Sequence, residues 1–203
     1  MVAVGVQTWS TELAALRRYW QAADALGYAR IVYGDGLWRF THDGWTMLAA
    51  LAGLTTRARL GPAVTYAFAD AAHHPSWLAK RAVAVDHLSD GRLDLRLAVG
   101  AEDPAAAAGW RAHGIAYPPG AERVARLAET IQVVRRLWTG QPVRFTGRYH
   151  RLDGAVLAPR PRQRPGPPVW VAAMRAGALA VAARHADGWE ASYLAPDAFA
   201  ARS

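Results

Sequence analysis

The sequence contains no cysteine. That removes a disulfide framework, a thiolate zinc site and a cysteine nucleophile at one stroke. Long apolar runs are missing as well: none reaches the roughly 18 residues of a membrane span. The opening residues, MVAVGVQTWS, show no basic region ahead of an apolar run and no cleavage site. The expectation is a soluble, cytoplasmic protein without a membrane partner. Basic side chains are nearly all arginine, and only RPRQR (Arg160 to Arg164) approaches a cluster. A nucleic-acid module concentrates its cations on one face or interleaves them with aromatics. The net charge of +8 therefore fits an anionic cofactor better than a nucleic-acid partner.

What is present is a globular core. Hydrophobic residues make up 52% and charged residues 20% of the 203, which argues against disorder and for a single domain. Residues Val2 to Thr8 alternate and are β-branched, as a first strand does. Ser10 or Thr11 can cap a helix that runs to Leu26, with Leu13, Leu16, Tyr19, Trp20, Ala23 and Leu26 on one face and Gly27 at its end. Tyr28 to Tyr33 reads as a second strand, Trp45 to Leu54 as a second helix and Arg59 to Tyr66 as a third strand.

From His74 to Gly100 the pattern is clearest. Pro75 suits a first helical turn, and Leu78, Arg81, Val85 and Leu88 recur at helical spacing. Ser89-Asp90-Gly91 breaks the helix, with Gly91 in the left-handed cap position. Arg92 to Val99 is then a fourth strand. Ala101 to Gly120 looks too broken for regular structure throughout. Glu122 to Trp138 carries a buried helical stripe of Val124, Leu127, Ile131, Val134 and Leu137. Gly140 to Pro168 reads as an insertion, with hairpin character at Thr146-Gly147. Val169 to Ala173, Gly177 to His185 and Gly188 to Tyr193 complete a fifth strand, a helix and a sixth strand.

Six β-α alternations with short loops predict a parallel sheet. The first strand-to-helix turn, TWSTE, has no Gly-rich dinucleotide loop, which disfavours an open doubly wound sheet and favours a barrel. In a barrel the site lies at the C-terminal strand ends. That places Trp9 as a cavity wall, Asp35 just beyond the second strand, and Glu102 beyond the fourth as a general acid or base. Free N–H groups where Ala172 to Gly177 enter a helix, with Arg175 beside them, make an anion site. Adjacent His73 and His74 cannot easily share one ion, and His74 fits a helix cap, so no metal is expected.

Four segments in order resemble the luciferase-like monooxygenase family: HPSWLAKRAVAVDHLSDGRLDLRLAVG, GAERVARLAETIQVVRRLWTG, FTGRYHRLDGAVLAPRPRQRPGPPVWVAA and AARHADGWEAS. The resemblance implies an α/β fold of the (β/α)8 barrel type, with about six of the eight βα units present and an insertion before the fifth strand. Residues 1–203 would form one barrel domain, incomplete at its C-terminus. If nothing followed, a parallel strand edge and the barrel lumen would be exposed, a pairing liability.

The activity implied is redox chemistry on a small organic substrate, with coenzyme F-420 (a deazaflavin) or FMN as cofactor. The mechanism would be hydride transfer with the former and oxygen activation with the latter. The resemblance suggests a bulge at Ala63, Val64 and Thr65, with a non-prolyl cis peptide, behind the cofactor ring. Gly100 would lie close to that ring. The cofactor phosphate would sit at Ala173, Met174, Arg175, Ala176 and Gly177. Trp9, Trp38 and Tyr66 would face the substrate, and Glu102 and Asp35 would be the catalytic side chains. One departure stands out: Asp35 is followed by Gly36 where some relatives carry histidine. The assembly this admits is a homodimer. A catalytically inactive, truncated flavin-binding remnant is the alternative, and a basic nucleic-acid-binding protein a weaker one.

Overall fold

The structure, a computed structural model, describes residues 3–69, 73–192 and 195–201. Strands β1 (Gly5–Thr8), β2 (Arg30–Tyr33) and β3 (Arg59–Pro62) alternate with helices α1 (Leu13–Ala25) and α2 (Gly44–Leu54). Strand β4 (Thr65–Tyr66), helix α3 (Pro75–Leu88) and strand β5 (Leu95–Ala98) follow, then helices α4 (Pro104–Ala112) and α5 (Gly120–Leu137). After a hairpin of β6 (Val143–Thr146) and β7 (Arg151–Ala155) come β8 (Val169–Ala172), α6 (Ala176–His185), β9 (Gly188–Glu190) and α7 (Pro196–Ala200). Val2 and Tyr193, expected at the outer ends of the first and sixth strands, lie outside the described residues.

Every pairing outside the β6–β7 hairpin is parallel. Gly5 stands opposite Arg30, Ile31 opposite Leu60, Thr65 opposite Leu97 and Leu95 opposite Val169. A bridge from Leu60 to Leu93 joins the β1-β2-β3 sheet to the β4-β5-β8-β9 sheet. Spatial order thus follows chain order without reversal, whereas a doubly wound sheet turns back at a switch point. The winding is that of a barrel. Among the described residues β1 and β9 each have one free edge, so the curl is not closed.

The helices wrap the outside in the same succession, α2 against α3, α3 against α5 and α5 against α6. Between them and the strands lies a dry layer in which Ile31, Leu60, Leu95, Leu97, Val169 and Val171 are wholly buried. Each such side chain contributes about 1.5–3 kcal/mol by leaving water. The other strand face turns inward and is charged. Asp94, wholly buried, takes Arg30 at 2.7 Å and Arg59 at 2.6 Å, and Arg96 pairs with Glu190. Parallel strands buried on both faces need such pairing wherever a charge points inward.

Local signals explain most element ends. Gly27 and Gly91 hold φ of +82° and +81°, the left-handed positions expected of helix terminators. His74 caps α3, its Nδ1 accepting from the Ser76 N–H at 3.3 Å. Asp24, near the end of α1, accepts from the backbone N–H groups of Thr56, Arg57 and Ala58. Burial alone would raise its pKa, but those bonds prevail and hold the carboxyl below 3.8.

Several expectations need correction. Within the Ala101–Gly120 stretch, which is not regular throughout, one unforeseen helix forms: Asp103 caps Ala105 and Ala106, Pro104 occupies the first turn, and α4 results. The third strand splits into β3 and β4. Helix α1 is capped by neither Ser10 nor Thr11; Glu12 holds the cap position, and Ser10 Oγ accepts the Glu12 N–H. Leu13, Tyr19 and Leu26 are exposed, because the buried arc of α1 is Leu16, Trp20, Ala23 and Asp24. Leu88 is exposed too, since α3 turns Leu78, Ala79, Ala82, Val83, Val85 and Asp86 toward its neighbours.

The insertion is tied back to the barrel by two carboxylates. Glu129 of α5 accepts the N–H groups of Arg148, Tyr149 and His150 in the β6–β7 turn. Asp86 of α3, wholly buried, accepts Arg162 N–H at 2.7 Å, Gln163 N–H at 3.0 Å and Gln163 Nε2 at 2.7 Å. Replacing Asp86 by alanine strands these donors at once. We expect Asp86→Ala to cost about 3 kcal/mol, seen as a lower urea midpoint with an unchanged slope; a loss under about 0.5 kcal/mol would mean that water replaces the carboxylate.

Candidate functional site

The C-terminal ends of β4, β5 and β8 open into one cavity of about 670 Å³. Small residues make up much of its lining, Val64, Ala98, Ala172 and Ala173 among them. Gly100, Glu102, Gly120 and Arg123 form one wall, and Met174, Arg175 and Gly177 the other. A second cavity of about 620 Å³ adjoins it, sharing Val64, Tyr66, Ala172 and Ser192 and walled by Trp9, Trp38 and Phe40. Both volumes lie within the span of about 300–1,000 Å³ usual for small-molecule sites.

Each wall has a sequence cause. Between β3 and β4 the Ala63–Val64 peptide is cis. Ala63 lines the second cavity and Val64 both. Gly100 turns the chain out of β5 with φ of +80°. A Cβ there would fall 2.7 Å from Tyr117 Oη and 3.0 Å from the Phe68 ring, so only glycine fits.

Arg123 then holds the loop. Its guanidinium is buried and donates to Val99 O at 2.7 Å, Pro118 O at 2.6 Å and Ala101 O at 3.2 Å. It also lies 4.3 Å over the Tyr117 ring. Aromatic contacts continue from Tyr117 through Phe68 and Trp110 to Tyr66 and Trp38. This set connects the two cavities.

Helix α6 starts at the cavity without a side-chain cap, its cap position being Arg175. The first N–H groups of such a helix point out of its end and favour an anion. Arg175 itself is exposed and pairs with Glu102, Nη1 to Oε2 at 3.2 Å. Tyr66 lies between the two cavities, and burial first, then the neighbouring Tyr117 and Asp35, pushes its pKa up to about 12. Its hydroxyl therefore keeps its proton at neutral pH and serves as a donor rather than a base.

Of the residues proposed from sequence, Val64, Tyr66, Gly100, Glu102, Ala173, Met174, Arg175 and Gly177 come together around the first cavity. Trp9, Trp38 and Ala63 join them in the second. Ala176 opens α6 but lines neither. Thr65 and Asp35 lie elsewhere. Thr65 is wholly buried and turns its hydroxyl to donate to Asp35 Oδ2, while accepting from Trp45 Nε1 at 3.2 Å. Asp35 lines a separate side cavity of about 460 Å³ with Trp38, Asp43, His73 and Arg81. Gly44 leaves room for it, since a Cβ there would meet its carboxylate at 2.7 Å.

Two positions were missed from sequence. Arg123 falls in the first turn of a sequence-predicted helix, where an arginine following a glycine- and proline-rich stretch is a candidate for carbonyl binding. Arg96 was passed over inside an apolar strand, where a lone charge is itself the signal of an inward-facing partner. Among the described residues no group of three or more His, Asp or Glu side chains is gathered as a metal would need. No helix among them is long and apolar enough to cross a membrane.

Near Asp35 lies a buried histidine, His73, with Nε2 3.9 Å from Asp35 Oδ2. Burial holds His73 below 6.5, opposed in part by Asp35; burial raises Asp35 above 3.8. For a histidine with a depressed folded pKa, the unfolded chain takes up the proton first as pH falls below 6.5. Stability is therefore lost through that window. The raised Asp35 acts with the opposite sign from 3.8 upward. We expect His73→Gln to remove the acid-side loss, so that its melting temperature relative to the parent improves by about 3 °C between about pH 7.5 and pH 5.5. Parallel melting curves at the two pH values would show that His73 is not held neutral.

Comparison with known proteins gives a consistent result. The family described as luciferase-like monooxygenase matches residues 2–203. An F420-dependent glucose-6-phosphate dehydrogenase of Nakamurella multipartita is 31% identical over 179 residues, 83% of this chain and 49% of that protein. Among solved structures, an F420-dependent secondary alcohol dehydrogenase in complex with an F420–acetone adduct superposes with a TM-score of 0.82 at 18% identity, over 96% of this chain and 58% of the other. The oxygenating constituent of 3,6-diketocamphane monooxygenase from Pseudomonas putida, in complex with FMN, superposes with a TM-score of 0.73 at 17% identity, over 91% and 56%. The chain thus spans about half the length of the curated relative it matches.

Proposed function

The chain belongs to the luciferase-like monooxygenase family, and from that premise we propose that it forms the cofactor-binding part of an oxidoreductase that uses a deazaflavin (coenzyme F-420) or FMN. The observation that carries this reading is the cavity at the ends of β4, β5 and β8, with small residues along its lining and the uncapped start of α6 beside Arg175. A flat ring needs a floor without protruding side chains, and a phosphate needs free N–H groups with a cation beside them. The residues present fit both demands.

In this reading Ala63, Val64, Gly100 and Ala173 would hold the ring, and Arg175, Ala176 and Gly177 would hold the phosphate. Trp9, Trp38 and Tyr66 wall the adjoining cavity, which takes a small organic substrate. When bound, a flavin or deazaflavin supplies a ring that accepts or donates a hydride. The protein's own part is to bind, to orient and to exclude water. Tyr66, protonated at neutral pH, donates a hydrogen bond to an oxygen of ring or substrate. The finer activity, dehydrogenase or monooxygenase, turns on the substrate cavity, whose walls come from loops.

Asp35 faces the side cavity, so its part is structural: with Thr65 and Trp45 it ties the end of β2 to β4 and α2. A protein confined to the cytoplasm and free of nucleic acid suits this reading. The salt-dependent DNA association of a basic nucleic-acid binder is not expected.

The test is direct binding. We expect FMN or coenzyme F-420 to bind with a micromolar Kd, read by fluorescence titration. Arg175→Ala should weaken FMN about tenfold, the loss of one charge-assisted contact of about 1.4 kcal/mol, and leave riboflavin unchanged because riboflavin has no phosphate. Absence of binding by both cofactors would overturn the proposal.

A further inference from the structure

The second cavity differs from the rest of the molecule in the sign of its charge. In a chain of net charge +8, its lining among the described residues holds no lysine, arginine or histidine, and its one charged side chain is Glu190. The first cavity, by contrast, is lined by Arg123 and Arg175 as well as Glu102. The rings of Trp9, Trp38, Phe40 and Tyr66 line the second cavity too. It is thus an aromatic chamber with a single carboxylate, set at the end of β9.

That carboxylate is held in place. Arg96 of β5 reaches it with two donors, Nε to Oε2 at 2.9 Å and Nη2 to Oε1. The same guanidinium donates from Nη1 to Pro62 O at 3.3 Å. Its side chain is 7% exposed, against 26% for that of Glu190. Arg96 lines a neighbouring cavity of about 380 Å³ with Gly5, Arg30 and Arg59, and Gln7 is common to the two. The Glu190 main chain is fixed as well, its O accepting the Ala173 N–H at 3.1 Å. The cation therefore stays behind the wall while the anion shows in it. A carboxylate clamped by a guanidinium has lone pairs to spare and no proton to give.

We propose that Glu190 is a specificity-determining residue: its Arg96-held carboxylate accepts a hydrogen bond from the hydroxyl of an uncharged substrate, so that the second cavity takes alcohols and turns away carboxylates and phosphates. This rests on the reading of that cavity as the substrate site and names the substrate class. A hydroxyl needs an acceptor for its proton and a donor for its lone pairs. Glu190 is the first, and the Tyr66 hydroxyl, on the same cavity, is the second. An ether or a ketone uses Tyr66 alone. An anion loses its hydration, finds no cation in the lining and meets like charge. Because Arg96 sets the carboxylate before a ligand arrives, little side-chain freedom is lost on binding.

The experiment uses three probes that share a phenyl ring: benzyl alcohol, its ether isomer anisole, and benzoate, with Kd read by saturation-transfer NMR at neutral pH. For the parent chain we expect benzyl alcohol to bind about three- to tenfold more tightly than anisole, the worth of one hydrogen bond, and at least about tenfold more tightly than benzoate. Glu190→Gln keeps the shape and leaves Arg96 unbalanced, so benzoate should bind it about tenfold more tightly than it binds the parent. An unpaired buried guanidinium also destabilises the fold, whereas Arg96→Met combined with Glu190→Leu removes both charges together. In that double variant benzyl alcohol and anisole should bind within about twofold of each other. Trp9→Ala should weaken benzyl alcohol at least about threefold, which places the probe in this cavity. Anisole or benzoate binding the parent as tightly as the alcohol, unchanged discrimination in the double variant, or indifference to Trp9→Ala overturns the proposal, and so does a parent that does not bind benzyl alcohol. The cofactor reading is judged apart, by titration with FMN and coenzyme F-420. Its failure with the alcohol preference intact would remove the redox role and leave the selectivity of the cavity in place.

Discussion

The buried guanidinium of Arg123 is the contact on which the site depends. It reaches three carbonyl oxygens, Val99 and Ala101 before α4 and Pro118 after it. A buried cation is costly unless its donors are used, and the planar fork of arginine can satisfy several carbonyls that a lysine ammonium could not reach together. Because Arg123 stands in the first turn of α5, this one side chain relates the end of β5 to the start of that helix. It therefore sets where Gly100, Glu102 and Gly120 lie. The Tyr117 ring beneath it and the Phe68–Trp110 pair beyond seal the loop against the second hydrophobic cluster.

The same logic of buried charge runs through the barrel's interior. Asp94 with Arg30 and Arg59, and Arg96 with Glu190, occupy the inward face of strands whose outward face is leucine and valine. Breaking one member of such a set is far more damaging than replacing the set by apolar residues. These pairs connect β2, β3, β5 and β9, strands far apart in the sequence but neighbouring or one strand apart in the sheets. Asp24 and Asp86 do comparable work outside, each collecting N–H groups from a loop that has no ladder of its own. Carboxylates that gather main-chain donors replace the regular hydrogen bonds that irregular segments lack.

Periodicity and punctuation made the sheet and helices legible. The alternation of apolar strands with helical stripes, closed by Gly27 and Gly91, led directly to the parallel order observed. What escaped were features decided by tertiary contact. Leu13, Tyr19 and Leu88 fit a helical stripe yet are exposed, because periodicity shows that a stripe exists without showing which neighbours arrive to cover it. Helix α4 hid behind alanines and a proline, although its Asp103-Pro104 start is a recognisable signal. Around the site, residues at strand ends were assigned on the rule that barrels carry chemistry there. That rule and the family resemblance together point to Val64, Gly100, Glu102 and Arg175, which line one cavity, but neither says which way a side chain turns. Thr65 shows the limit: it shares a two-residue strand with Tyr66, and alternation sends one hydroxyl toward the cavities and the other toward Asp35.

That alternation gives the loop beyond β2 a different part from the one its sequence suggests. With Gly36 next to Asp35, no imidazole follows the carboxylate along the chain, and the nearest histidine in space is His73, from the segment leading into α3. Burial keeps both groups closer to neutral than either would be in water. Burial disfavours the charged form of each, and the Thr65 hydroxyl supplies the Asp35 carboxyl with a hydrogen bond where water would otherwise be needed. The polar work of the site then falls on groups that keep their character at neutral pH: the Tyr66 hydroxyl, the guanidinium of Arg175 and the N–H groups of α6. Donors of that sort suit a ligand that brings its own negative charge and its own redox chemistry. They leave the protein to decide where that ligand sits.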